Sequence, residues 1–274
     1  MSICPYRLFV ALAIHALAAT FIYNNIYLEG LYWQLPIVIG LVLLQVFTVS
    51  TFLHKMLSHR VWKFKYKAID WFFATFAMTI GHVFPGDPLT WSVIHRLHHA
   101  HVDKDMDPHS PSRVGLLVSH FHLWKPPVWE DVDRKYYFDL MKHYRHLFFF
   151  SQYPIVIAVA LWTLVFLLFG IEGVALLGMA SFIEFHGLGV IDAYSHAEGE
   201  GKTRSIPWWL VALGLNDPEG SYHKEHHDHP DVYSFNPTWI DYPSRIMEIL
   251  STIGLVEIRG RKFKNRNEVF EGKV

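Results

Sequence analysis

Histidine is the residue type on which this sequence concentrates its chemistry. The chain holds 19 histidines in 274 residues, and the stretch "HRLHHAH" places four of them in the seven positions from His95 to His101. Neutral imidazole binds zinc, copper, iron and nickel. The spacing HxxHH occurs twice, at residues 95–99 and 223–227. Positions i, i+3 and i+4 share one face of a helix, so each motif can direct three imidazoles to one side.

Two further groups accompany these motifs. Asp192 and His196 in "DAYSH" are four residues apart and share a helix face. His54 and His59 in "HKMLSH" are five apart, about 140° around an ideal α-helix, so we do not expect a simple chelating pair. A structural zinc takes four ligands, so this many imidazoles predict two metal ions. The candidate histidine ligands are His54, His59, His95, His98, His99, His196, His223, His226 and His227.

The remaining histidines near the motifs receive a plainer interpretation. His101, at the end of the first HxxHH stretch, is predicted to be a bystander rather than a ligand. The same holds for four others, which we expect to support the ligands, cap helices or lie at the surface. These are His109, His120, His122 and His229. Glu-x-x-His pairs of a carboxylate-bridged di-iron bundle are not found near the motifs, which leaves an all-histidine dinuclear site.

Composition indicates a membrane protein. Hydrophobic residues make up 51% of the chain and aromatic residues 16%, and its mean hydropathy is positive. The 24 basic and 25 acidic side chains nearly balance, so no strongly basic surface suggests nucleic acid as a partner. The single cysteine, Cys4, excludes an intramolecular disulfide framework and a CxxC metal site.

Four apolar segments approach the ~20 residues that a bilayer crossing requires. The sequence therefore predicts an all-α fold, with one domain over residues 1–274 and four transmembrane helices at about 8–23, 35–53, 153–170 and 173–191. A cytoplasmic helical cap at 54–152 and 192–258 would carry the histidines, and residues 259–274 form a basic tail. We expect a buried or interfacial helix at 68–86 and an amphipathic helix at 126–150.

The positions of lysine and arginine predict the topology. One lies before the first predicted crossing, 13 lie between the second and third, 10 follow the fourth, and the two short links hold none. By the positive-inside rule, both termini and every histidine motif face the cytoplasm. We expect a multi-pass protein of a bacterial inner membrane, or of the endoplasmic reticulum if the source is eukaryotic.

At this point the motifs resemble a known family. HxxxxH at 54–59, HxxHH at 95–99 and 223–227, and "DAYSH" are similar to the histidine boxes of integral-membrane fatty acid desaturases, above all the stearoyl-CoA (Δ9) branch. The resemblance covers roughly residues 35 to 235. It implies two irons held by nine histidines, and an asparagine that reaches a metal through water. That asparagine is Asp192 here, which is expected to bind through water or directly.

The resemblance also implies an activity. An O2-dependent enzyme would introduce a cis double bond, at Δ9, into an acyl chain carried on CoA, ACP or lipid. A separate electron donor, of ferredoxin or cytochrome b5 type, would be needed. Trp91, Trp71 and Trp33 are candidates for the wall of the substrate tunnel. Arg60 and Arg96 are candidates for contact with the donor or with a substrate phosphate, although cytoplasmic cations near lipid need no such role.

Two departures from the branch keep alternatives open. One is Asp192, and the other is "LNDPEGSYHKEHH", where the branch has a Gly-Glu-Gly-aromatic-His order, so that Asn216 or Glu219 is expected to take a role. A membrane di-iron lipid hydroxylase or ketolase would use the same chemistry with another outcome. A histidine-rich metal transporter would place its ligands within the spans. Two tightly held irons per chain would indicate a di-iron enzyme, whereas exchangeable zinc would indicate the transporter.

Overall fold

The computed structural model describes residues 3–81, 87–212, 219–236 and 238–263. The chain is mostly helical, which confirms the predicted fold class. The main helices are α1 (Pro5–Thr20), α2 (Leu35–Thr48), α3 (Lys67–Gly81), α4 (Pro88–His101), α5 (Pro111–Val114), α6 (Leu116–His120), α7 (Phe138–His143), α8 (Arg145–Ser151), α9 (Pro154–Ser195), α10 (Trp208–Ala212), α11 (His223–Asp228) and α12 (Tyr242–Thr252). Wider π-helical segments extend α1 (Phe21–Leu28) and α2 (Val49–Ser58).

Within these described ranges, three helical stretches are long and apolar enough to cross a membrane. They are Pro5–Leu28, Tyr32–Ser58 and Pro154–Tyr194. The first two contain the predicted crossings at 8–23 and 35–53, and extend each of them by several residues. The third contains both of the remaining predicted crossings in one element. By length and composition, these stretches support membrane association.

The long helix α9 folds back on itself at Gly170. This residue has φ 65° and ψ −163°, a non-helical conformation that glycine adopts without steric cost. A Cβ built on Gly173 would lie 3.5 Å from Val165 Cγ1. Residues eight apart on a straight helix are separated by about 12 Å. The stretch is therefore a helical hairpin with arms at 154–169 and 171–195, which is the break that the sequence predicted. That each arm crosses the membrane stays a prediction.

Small residues let the apolar helices pack closely. A Cβ built on Gly178 in the second arm of α9 would lie 2.6 Å from Leu17 Cβ in α1, so a larger residue would push these helices apart. On the other side of the arm, Gln45 of α2 donates a buried 3.0 Å hydrogen bond to the Ser181 hydroxyl. Small side chains and interhelical hydrogen bonds are the usual means of helix association in lipid.

Two small sheets were not predicted. Strand β1 (Trp62–Phe64) pairs antiparallel with β3 (Val256–Ile258), and β2 (Val232–Ser234) pairs in parallel with β4 (Arg261–Lys262). Strands of two or three residues are too short to show a period-two pattern. The β1–β3 pair joins the C-terminal segment to the chain just after the HxxxxH motif at residues 54–59.

The single amphipathic helix predicted at 126–150 is wrong. The structure has 3₁₀ turns at Trp129–Asp131 and Arg134–Tyr136, followed by α7 and α8. Tyr144 separates α7 from α8 with φ −130° and ψ 48°, and its hydroxyl donates a 2.7 Å hydrogen bond to Asp70 in α3. This tertiary contact overrides the helical periodicity. The helix predicted at 68–86 is α3 in its described part, and residues 82–86, with His82, lie outside the described residues.

Candidate metal centre

Helix α4 presents the first HxxHH motif. The Asp87 carboxylate caps its start by accepting hydrogen bonds from the backbone N–H groups of Leu89 and Thr90, at 3.0 and 3.1 Å. Proline at the first helical position suits the same end, since its missing N–H would have no partner there. The three imidazoles at 95–99 follow in the last two turns and lie on one face, as the spacing predicted.

The HxxxxH motif at residues 54–59 reaches the centre because it lies in a π-helix. Residues Val49–Ser58 form i to i+5 hydrogen bonds, and the His59 N–H continues them with a 3.0 Å bond to the His54 carbonyl. In this wider helix, residues five apart lie about one turn apart, so the two rings come within 4.8 Å of each other. The expectation that His54 and His59 cannot act as a simple pair is wrong, because it assumed α-helical geometry.

Arg96 of α4 supports this segment. Its guanidinium donates to the carbonyl of Ser58 at 2.9 Å and to that of Leu57, both at the end of the π-helix. It also binds the Asp139 carboxylate at 2.7 and 3.1 Å. Only 9% of the Arg96 side chain is exposed, whereas Arg60 keeps 57% exposed beside the same carboxylate. Arg96 is thus committed to internal contacts.

The remaining imidazoles come from the second half of the chain. His196 follows directly on the C-terminal end of α9, and the second HxxHH motif makes up most of the short helix α11. Asp192, one turn earlier in α9, does not join the histidine groups. Its carboxylate lies 3.4 Å from His122 Nδ1 and 3.9 Å from His109 Nδ1.

All nine predicted ligands meet, in two groups. In the first, one ring nitrogen from each member lies within 4.8 Å of the others. This five-histidine group consists of His54, His59, His95, His99 and His226. In the second, neighbouring Nε2 atoms are 2.9 to 3.3 Å apart. This four-histidine group consists of His98, His196, His223 and His227.

The four-histidine group fits a cation better than it fits hydrogen bonding. Its Nε2 atoms form a closed ring of contacts, in which each atom faces two others. A neutral ring nitrogen carries either one proton or one lone pair, so hydrogen bonds can account for at most two of these four short contacts. His98 Nδ1 lies 2.8 Å from the Asp107 carboxylate and donates to it, which leaves a lone pair on Nε2. A cation at the centre would accept all four lone pairs.

Burial keeps these rings neutral, as metal binding requires. It lowers the pKa of His59 and of His223 to about 3, and it lowers the pKa of His95, His99 and His226 as well. At neutral pH these imidazoles are uncharged, so each can offer a lone pair to a metal without first losing a proton. The donor set is all nitrogen, which suits iron, zinc, copper or nickel.

Asp107 is a partner of the centre that the sequence interpretation missed. It is fully buried and hydrogen-bonded to His98. Burial alone would raise its pKa, but the His98 hydrogen bond and the nearby His109 ring outweigh this and lower the pKa to about 2. A carboxylate of this kind fixes the tautomer and orientation of a ligating ring. The acidic run "DKDMD" directly after the first HxxHH motif is the signal that could have indicated it.

Glu219 serves the five-histidine group in a looser way. Its Oε2 lies 3.7 Å from His54 Nδ1 and 3.9 Å from His226 Nδ1. Its other oxygen binds the buried Lys55 ammonium at 2.7 Å. Asn216, the other residue considered there, lies outside the described residues. Glu219 thus lies against two ligands from different halves of the chain.

A cavity of about 50 Å³ opens onto both groups. Apolar side chains of the π-helix after α2 and of α9 wall it, among them Val49, Leu188 and Ile191, and it ends at the histidines. Trp91 also lines it and stacks on the His95 ring at 5.0 Å, with only 7° between the ring planes. The other two tryptophan candidates, Trp33 and Trp71, do not line this cavity, and Trp33 is 62% exposed. An apolar group could therefore approach the centre with little water beside it.

The His109 ring lies 4.4 Å from the His98 ring, whereas several other histidines lie apart from the two groups. His101 Nε2 lies 3.1 Å from the Tyr136 hydroxyl, on another side of α4. A separate histidine chain runs from His15 through His186 to His120, with contacts of 3.2 and 3.0 Å. The contact between His15 and His186 lies between α1 and the second arm of α9, inside the candidate spans.

Comparison with known proteins identifies the class. The family model for fatty acid desaturases matches residues 32–236. The Delta-9 desaturase-like 4 protein of Arabidopsis thaliana is 30% identical over 234 residues, which are 77% of this chain and 73% of that protein. The acyl-CoA C20 Delta5-desaturase of Anemone leveillei is 29% identical over 251 residues, 81% of this chain and 74% of its own length. The Delta-9 acyl-lipid desaturase 1 of Arabidopsis thaliana is 27% identical over 225 residues, 74% and 67% of the two chains.

This chain belongs to the fatty acid desaturase family. It is an oxidoreductase that acts on fatty acyl chains, and the predicted resemblance to the Δ9 branch is confirmed. The relatives differ in both bond position and acyl carrier, so these two properties are matters for a proposal.

Proposed function

We propose that this chain is an O2-dependent di-iron desaturase that introduces a cis double bond, at Δ9, into an acyl chain carried on CoA, ACP or lipid. The observation that carries the proposal is the meeting of nine imidazoles, five and four, at the end of an apolar cavity in a chain of this family. Relatives named for Δ9 activity favour this position over the Δ5 of another relative.

Iron bound by the two histidine groups would supply the O2 chemistry that breaking an unactivated C–H bond demands, which acid–base side chains cannot supply. The protein contributes position and environment. Val49, Leu188 and Ile191 hold the reacting methylenes of the acyl chain against the histidines and exclude water. Asp107 keeps the proton of His98 on Nδ1, so that Nε2 faces inward. Trp91 fixes the ring plane of His95 by stacking on it.

Asp192 is proposed to hold a water molecule beside the centre, as the asparagine of the branch does. It lines the same cavity as His98 and His223, which favours this role over direct ligation. Its two imidazole neighbours, His109 and His122, would orient the carboxylate through their Nδ1 atoms.

The proposed membrane arrangement follows the charge distribution. One domain crosses the membrane four times, with the α9 hairpin supplying the last two crossings, and both termini and the centre face the cytoplasm. Electrons come from a separate ferredoxin or cytochrome b5 type protein. The membrane is a bacterial inner membrane, or the endoplasmic reticulum in a eukaryotic cell.

Fatty-acid analysis of a bacterial host tests this function. The chain is expressed with a ferredoxin or cytochrome b5 and its reductase, beside the His98→Ala variant. Gas chromatography with mass spectrometry should show a new monounsaturated acid, with its double bond at Δ9, that the variant does not make. A hydroxylated or ketonic acyl chain instead would contradict desaturation and support the related lipid hydroxylases or ketolases.

A further inference from the structure

A second cavity, of about 410 Å³, lies beside the HxxxxH motif at residues 54–59. It is formed by the chain after His59, the start of α3 and helix α7, and we call it the basic cavity. The cations that line it are Arg60, Lys63, Lys65, Lys67, Lys142 and Arg259. Its volume is in the range of small-ligand sites. The 50 Å³ cavity at the histidine centre, lined by Trp91, is a separate space that shares none of these residues.

The two carboxylates that line the basic cavity already have partners. Asp139 is held by the guanidinium of Arg96 at 2.7 and 3.1 Å, and Arg60 lies 3.3 Å from the same group. Asp70 accepts a 2.7 Å hydrogen bond from the Tyr144 hydroxyl. Two lining acids therefore face six lining cations, which leaves an excess of positive charge in the cavity.

One further acid lies near the rim. Glu257 pairs with Lys63 at 3.4 Å and with Arg259 at 2.8 Å. In the part of the chain that the structure describes, no carboxylate lies within ion-pair distance of Lys65 or Lys142, and both lysines are exposed. The cavity thus gathers excess positive charge in a concave space, where an anion of matching size would meet several ammonium groups at once.

The surface next to the cavity suits lipid. Helix α3 starts at its rim, where the Lys67 ammonium lies 4.8 Å from the Trp71 ring centre. Phe72 is 64% exposed and Trp71 38% exposed. On its inner side α3 packs on the second span, with Phe73 5.3 Å from Phe52. Tryptophan beside lysine at the end of an apolar surface is typical of the headgroup level of a membrane.

We propose that the basic cavity binds the phosphate headgroup of an anionic membrane phospholipid, whose acyl chains lie along the exposed face of α3. A soluble phosphate compound would use the cations alone and leave the aromatic rim unused. The proposal rests on the membrane association of the chain and does not depend on the reaction at the histidine centre.

The test is lipid binding by the full chain in detergent micelles, measured by native mass spectrometry. Phosphatidylglycerol and phosphatidylcholine with the same acyl chains serve as the two lipids. The wild-type chain should retain one phosphatidylglycerol in preference to phosphatidylcholine. Each lysine near an anionic headgroup changes affinity by roughly fivefold, so the double substitution Lys65→Gln and Lys142→Gln should weaken phosphatidylglycerol binding by roughly 30-fold.

The matched control removes two positive charges elsewhere on the exposed surface, with Lys104→Gln and Lys202→Gln, and should keep the preference. Equal binding of the two lipids, or equal loss in both double variants, would overturn the proposal.

Displacement of the lipid by micromolar coenzyme A or inorganic phosphate would instead assign the cavity to a soluble phosphate ligand. Retained lipid preference with loss of an acidic ferredoxin in the Lys65/Lys142 variant would assign it to the electron donor. Loss of desaturation with an intact lipid preference would leave the cavity assignment standing.

Discussion

Two clusters of histidine in this molecule differ in what their nitrogens face. In the metal centre, each ring directs a nitrogen to a shared space, so that five and four imidazoles converge. In the histidine chain, His186 uses both of its nitrogens, Nε2 toward His15 at 3.2 Å and Nδ1 toward His120 at 3.0 Å. A ring that is engaged on opposite sides links its neighbours but does not gather them around one ion.

The surroundings of the two clusters differ as well. Carboxylates lie behind the ligands of the metal centre, with Asp107 at 2.8 Å from His98. Phenyl rings pack around the histidine chain, and Phe182 lies 5.1 Å from the His15 ring and 4.6 Å from the His186 ring. Convergence and outer carboxylates mark a metal site, whereas the number of nearby histidines does not.

The largest expected effect is that of His98→Ala. It removes a member of the four-histidine group, so desaturase product should fall below detection and metal should be lost from the purified chain. His101→Ala, three residues along α4, is the matched control, because His101 contacts Tyr136 and not the centre. Product from the His98 variant and none from the His101 variant would reverse the assignment.

Asp107→Asn should weaken metal binding by about 10- to 100-fold, because an amide holds the His98 proton less firmly than a carboxylate does. Competition with a chelator, followed by metal analysis, measures the change. Asp105→Asn is the control for this change of charge, since the Asp105 side chain is fully exposed two residues away. Similar losses in both variants would mean that Asp107 acts only through the net charge of its loop.

Glu219→Gln should have a smaller effect on metal, of about tenfold, at the lower end for such outer partners. Its oxygen lies 3.7 and 3.9 Å from two ligands, farther than Asp107 lies from His98. Loss of its charge opposite the buried Lys55 should also lower the unfolding temperature. A chelator titration and a thermal melt on the same sample separate the two effects. A metal loss larger than that of Asp107→Asn would contradict this ranking.

His186→Asn should leave the metal content unchanged. It removes two ring contacts from the histidine chain, at a cost of about 1 kcal/mol each, so only the unfolding temperature should fall. Metal analysis beside a thermal melt provides the check. Loss of metal in this variant would remove the distinction between the two clusters.

Much of this architecture follows from local patterns. The HxxHH spacing predicts one shared helix face, and α4 shows it. The break between the apolar segments at 153–170 and 173–191 corresponds to the turn at Gly170. These features depend on periodicity and on one glycine, both of which a sequence displays.

Other features depend on contacts that a sequence does not display. The π-helix at Val49–Ser58 departs from the usual 3.6-residue period, so α-helical geometry does not predict that His54 and His59 lie together. Glu219 approaches His54 only because the two halves of the chain pack together, whereas Asp107 reaches His98 through the turn that follows α4. The amphipathic pattern at 126–150 is broken by Tyr144, whose partner Asp70 lies in a distant helix.

The di-iron assignment is tested most directly by the metal content of the purified wild-type chain, expressed in iron-supplemented medium and measured by inductively coupled plasma mass spectrometry. X-ray absorption at the iron edge reports the ligands of the same sample. We expect two irons per chain in an all-nitrogen histidine environment, with metal lost in His98→Ala. A chain that holds exchangeable zinc and no iron, or that keeps both irons without His98, would contradict it.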